Sequence, residues 1–71
     1  MKKMIDARGL SCPQPVLMAL EAMRLDNGEL TVLVDTDTAR ENVGRAVASQ
    51  GWRLMTDVPE DGGFRLVARK E

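Results

Sequence analysis

The sequence predicts an α+β fold, a two-layer α/β sandwich of order βαβαββ with a mixed four-stranded sheet and two helices on one face. Three observations carry the prediction. Two stretches, Pro13 to Asp26 and Thr38 to Gln50, place apolar residues at helical spacing. Four others, around Ile5, Val32, Leu54 and Leu66, are rich in β-branched residues or alternate apolar with polar. The length, 71 residues, suits one domain and is too short for two, so residues 1–71 are expected to form a single unit. A core this small supplies stability on the order of a few kcal/mol.

Strand one is placed at Met4-Ile5-Asp6-Ala7, short and partly β-branched. Helix one begins at Pro13, because proline is tolerated in a first turn whose N–H groups have no intrahelical partner. It is stopped by Asn27-Gly28. Val16, Leu20 and Met23, with Leu17 and Ala19 beside them, form its core stripe, and Met18 and Met23 are read as core filler. Strand two is Leu30 to Asp35, with Leu30, Val32 and Val34 facing the helices. Thr38-Ala39-Arg40-Glu41 has the form of a capping box, which puts the start of helix two at Thr38. Ala39, Val43, Ala46 and Val47 give that helix its apolar face, and Gly51 ends it. Gly44 inside it invites close packing of the two helices. Trp52 to Val58 alternates as strand three, Pro59 to Gly63 reads as the turn, and Phe64 to Arg69 completes a hairpin. Strict alternation sends Leu33, Met55 and Val67 to the far face of the sheet, flanked by Thr31, Asp35, Arg53, Asp57, Arg65 and Arg69.

Composition excludes several function classes. Ten basic and eleven acidic residues give a net charge of −1, with no footprint for direct nucleic-acid binding. There is no histidine and one cysteine, Cys12. That rules out the zinc-finger spacings, a Cys-x-x-Cys redox pair and a Cys–His hydrolase site, and no metal or cofactor is expected. An unpaired cysteine suits a reducing cytoplasm. Lys2-Lys3 is followed by no apolar run, so no signal peptide or membrane segment is expected.

Cys12 falls at the predicted cap of helix one, an uncommon residue there. The positive end of a helix favours thiolate over thiol, so its pKa is expected below the ~8.5 of a free cysteine. The backbone N–H groups of Gln14 and Val16 are left to face an anion, since Pro13 and Pro15 have none. The plain alternative is a small cysteine buried at a turn. Parallel strands one and two bring Arg8, Asp35, Asp37 and Arg40 to the same edge. Arg8 and Arg40 are candidate stabilisers of a thiolate or persulfide anion. Their alternatives are an Arg8 ion pair with Asp6 or Asp35 that shapes the loop, and a solvated Arg40. Asp35 and Asp37 read mainly as turn and cap residues. A lone thiol without a base or a second cysteine can accept an activated sulfur and surrender it to another thiol; a dithiol–disulfide cycle is closed to it. A docking or regulatory module without covalent chemistry stays open.

Asp6-x-Arg8-Gly9-Leu10-x-Cys12-Pro13-x-Pro15 resembles the signature of the TusA/SirA/YedF family of small sulfur-carrier proteins, and the likeness covers nearly the whole chain. The resemblance implies the same two-layer fold and assigns persulfide chemistry to Cys12, with Arg8, Gly9, Pro13 and Pro15 shaping the site. It implies a sulfur donor such as a cysteine desulfurase and a downstream acceptor protein. TusA itself serves tRNA thiolation. After strand two the chain reads Val34-Asp35-Thr36-Asp37-Thr38, where the TusA branch tends to Asp-Asp-Pro. Ala39 to Val43 and Ala48 to Gly51 look more like the N-terminal domain of YedF-type proteins, associated with selenium metabolism. A selenium carrier, stand-alone or an excised domain, is therefore the alternative within the family.

Overall fold

Val32 pairs through the backbone with Ile5 on one side and Leu66 on the other, and all three side chains are buried. Around this row the computed structural model describes residues 2–11, 13–25 and 28–70, with the backbone alone at positions 2 and 3. The elements are β1 (Lys2–Asp6), α1 (Gln14–Leu25), β2 (Glu29–Val34), α2 (Asp37–Ser49), β3 (Trp52–Glu60) and β4 (Gly63–Lys70). The expected order βαβαββ is observed. The sheet order is β1-β2-β4-β3; β1 and β2 are parallel and the other pairs antiparallel. β4 therefore lies between β2 and β3, which run parallel to each other.

Leu30, Val32, Val34, Leu66, Ala68 and Trp52 meet Val43 and Val47 of α2 and Ala19, Ala22 and Met23 of α1 in one core. On α1 the fully buried stripe is Pro15, Ala19, Ala22 and Met23, with Val16, Met18 and Leu20 packed at its margin. Leu17, placed beside the stripe by its spacing, is 51% exposed. Small residues sit deepest because they let the helix lie close to the sheet. The stop at Asn27 lies outside the described residues.

Four local expectations are corrected. Helix two is capped by Thr36, whose side chain accepts from the Ala39 amide at 3.0 Å, and Thr38 lies inside the first turn. Two threonines at this spacing both fit a cap, and the one adjoining the end of β2 takes it. The hairpin turn is only Asp61-Gly62, with φ of 51° and 80°, a pair of left-handed residues that matches the strand twist. Pro59 belongs to β3 and pairs with Phe64; an edge strand tolerates its missing N–H. Gly44 faces Leu54 rather than α1, and an added Cβ would lie 3.9 Å from Leu54 Cδ2, an ordinary contact.

The fourth correction is a β-bulge. The register of β3 slips between Leu54 and Thr56, leaving Met55 extra. Beyond it Thr56 opposes Val67 and Asp57 opposes Leu66, so Asp57 joins the helix-facing side, against strict alternation. On the far face Leu33 is buried, Val67 is half-buried and Met55 is exposed.

Candidate functional site

Because β1, β2 and β3 run the same way, their C-terminal ends share one edge with the start of both helices. β1 gives out after Asp6, and the Ala7 amide still donates to the Leu33 carbonyl at 2.8 Å. Arg8 then folds back on Asp6. Its backbone N–H, Nε and Nη2 donate to the carboxylate at 3.2, 2.9 and 2.8 Å. The bidentate Arg8 side chain, followed by the Arg8 amide, lowers the Asp6 pKa from 3.8 to about 2. Arg8 is correspondingly raised, first by its hydrogen bonds to Asp6, with smaller contributions from Asp61 and Glu60. The stability linked to Asp6 is present above pH 3.8 and is lost as pH falls through about 2. Both partners are exposed, so the pair shapes the loop more than it stabilises the fold. Its guanidinium is committed to Asp6, the loop-shaping arrangement.

Gly9 comes next, with φ of +77°, a backbone that favours glycine. Its amide donates to Asp35 Oδ2 at 2.8 Å. Leu10 and Ser11 are exposed. Cys12 lies outside the described residues; its chain neighbours Ser11 and Pro13 are both exposed. The helix begins one residue later than expected. Gln14 is its first residue, and the Pro13 carbonyl accepts the Leu17 amide at 3.0 Å. Pro13 thus holds the cap position assigned to Cys12, which precedes it. The Gln14 N–H, expected to face an anion, is spent on the Ser11 carbonyl at 2.9 Å. The helix therefore starts after Pro13, whose carbonyl is its first acceptor. Pro15 is buried in the first turn.

Beside this loop lies a mainly apolar groove of about 230 Å³ between the starts of the two helices. Leu10, Pro13 and Val16 line one wall; Thr36, Thr38, Ala39 and Asn42 come from the other. Sequence reasoning missed Leu10 and Asn42 as site residues. An apolar residue kept in an exposed loop is the signal that marks Leu10, and Asn42 is reached by counting one helical turn from Thr38.

Arg40 is not among the residues lining the groove. Its guanidinium pairs with Asp37 at 3.4 Å and Asp57 at 3.7 Å and lies 4.6 Å from the centre of the Phe64 ring. It ties α2 to β3 and β4, which the bulge makes feasible by turning Asp57 toward the helix. Asp37 is the first residue of α2 and is exposed. The structure therefore joins Gly9, next to Arg8, to Asp35, sets Pro13 and Pro15 in the groove against Thr36 and Ala39, and ties Arg40 to Asp57 and Phe64 instead. The β3–β4 hairpin, which the sequence did not assign to the site, reaches the same edge, since Gly63 packs against Val34 and Asp35.

Among the described residues no group of three or more acidic, cysteine or histidine side chains is arranged to hold a metal. No helix among them is long and apolar enough to cross a membrane. A family profile described as sulfurtransferase TusA matches residues 3–70. A Methanocaldococcus jannaschii chain bearing a sulfur-carrier name is 34% identical over 96% of this chain and 93% of its own. The sulfur carrier protein TusA of Pseudomonas syringae pv. syringae is 33% identical, covering 94% of this chain and 82% of that one. This chain spans only 34% of the length of an Aquifex aeolicus relative, also named as a sulfur carrier. The crystal structure of a SirA-like protein from Desulfitobacterium hafniense superposes with a TM-score of 0.87 at 31% identity, covering 97% of this chain and 99% of that one.

Proposed function

The chain belongs to the sulfurtransferase TusA family, and on that premise we propose that it carries sulfane sulfur as a persulfide on Cys12 and relays it to an acceptor protein. The observation that carries the reading is the Arg8-Gly9-Leu10-x-Cys12-Pro13-x-Pro15 run on a loop whose described residues on either side of Cys12 are exposed. Such a loop admits a second protein's sulfur without unfolding. In the first step the Cys12 thiolate attacks the terminal sulfur of a donor persulfide. A new S–S bond forms at Cys12, the donor's S–S bond breaks, and the donor leaves as a thiolate. In the second step an acceptor thiolate attacks the same terminal sulfur and Cys12 leaves. The electron count balances with no external oxidant, and no second cysteine is needed.

Arg8, Gly9, Pro13 and Pro15 shape the loop in this reading. The donor is of the cysteine desulfurase class, the acceptor is a protein thiol, and the setting is a reducing compartment such as the cytoplasm. The test is mass spectrometry after incubation with a cysteine desulfurase and cysteine. The protein should gain the mass of one sulfur atom, and Cys12→Ala should gain none while keeping its stability within about 1 kcal/mol. A wild-type protein that gains no mass from this donor or another persulfide is instead a docking module. Preferential loading when selenocysteine replaces cysteine in a parallel incubation, so that the desulfurase presents selenium in the same oxidation state as its persulfide sulfur, would mark a selenium carrier.

A further inference from the structure

Between β1 and α1 the chain crosses residues 7–13, and most of the described hydrogen bonds beyond Ala7 are local. Arg8 bonds to Asp6, two residues back, and Gln14 bonds to Ser11, three residues back. The bond from the Gly9 amide to Asp35 is different: it joins positions 26 residues apart, at 2.8 Å. We propose that Asp35 is a positioning residue for the Cys12 loop, acting through Gly9, an inference that rests on the persulfide reading above.

Asp35 suits this role because its own backbone is seated firmly. Gly63 of β4 packs directly on the end of β2; a Cβ there would overlap the Val34 carbonyl oxygen and come within 3.0 Å of Asp35 Cα. On its other side Asp35 adjoins Thr36, the cap of α2. The carboxylate is thus held at the junction of β2, β4 and α2 and reaches across to the loop. Gly9 meets it with φ of +77°, which turns its amide toward β2 at no steric cost. The carboxylate's charge is not the useful property in this arrangement. A negative group beside a thiol disfavours the thiolate, so what Asp35 supplies is a placed acceptor.

That distinction sets the experiment, which compares wild type, Asp35→Asn and Asp35→Ala. Asparagine keeps a carbonyl oxygen for the Gly9 amide without the charge; alanine keeps neither. Sulfur uptake from a cysteine desulfurase should slow about tenfold in Asp35→Ala, the scale expected when a reacting loop loses its register. Asp35→Asn should restore most of that rate. Hydrogen exchange at the Gly9 amide, a readout independent of sulfur chemistry, should accelerate in Asp35→Ala only. Equal slowing in both variants, or unchanged uptake in Asp35→Ala, overturns the positioning role while leaving the carrier reading intact. A lower apparent thiol pKa with unchanged Gly9 exchange also overturns it, since charge is then the cause. If wild type itself takes up no sulfur, the persulfide reading fails first and the role of Asp35 in it fails too, whatever the exchange at Gly9 shows.

Discussion

The two strand-to-helix junctions stand side by side at one edge of the sheet and are built on opposite plans. From β2 to α2 the chain needs only Asp35 and Thr36. Thr36 accepts the Ala39 amide through its side chain and the Arg40 amide through its carbonyl, Asp37 adds negative charge to the first turn, and Arg40 ties the helix to Asp57 and Phe64. From β1 to α1 the chain takes residues 7–13, with two prolines near the helix start and no acidic residue in its first turn. The first junction satisfies the start of its helix with its own cap and first-turn carboxylate. The second has no acidic side chain in the first turn of its helix, and its described residues from Arg8 to Pro13 are exposed. One junction is closed on itself, and the other lies open along its described residues.

Three substitutions break or sharpen this contrast. The largest effect is expected from Gly63→Ala, because the end of β2 supports both junctions. The new methyl would strike the Val34 carbonyl, and overpacking against backbone should cost about 3 kcal/mol in urea unfolding. Thr36→Ala comes next. It removes the cap of α2 and should lower stability by about 1 kcal/mol in urea unfolding. The smallest and most discriminating is Gln14→Glu, which gives α1 the acidic first turn that α2 already has. Stability should rise by a few tenths of a kcal/mol. In a pH titration of Cys12 alkylation the apparent thiol pKa should rise by roughly half a unit. A fall in that pKa, or none, would mean the helix end does not act on the thiol.

The same contrast explains what could be foretold from the chain. Helical and alternating spacings marked all six elements, because a small core has few ways to bury Leu30, Val32, Val34, Val43 and Leu66. The cysteine motif was legible because its residue types are unusual together. What could not be foretold depended on pairing between distant segments. Thr36 and Thr38 are equivalent as caps until β4 fixes where β2 ends. Pro59 reads as a turn residue unless β3 is known to be an edge strand. The bulge at Met55 reverses the face of Asp57, and with it the partner of Arg40, although alternation on either side of it is regular. The groove beside Leu10 escaped for the same reason, being made from two helices that are distant in sequence.

That bulge has a consequence for how the molecule behaves in a crowd. β3 and β1 are the outer strands of the sheet, and exposed rims of this kind template the addition of further strands. β3 is interrupted after Leu54 by the extra Met55, and Pro59 offers no N–H. β1 is five residues long and opens with two lysines. Neither rim presents a long, flat, uncharged ladder on which another chain could zip. Encounters between copies are thereby discouraged from propagating into fibrils.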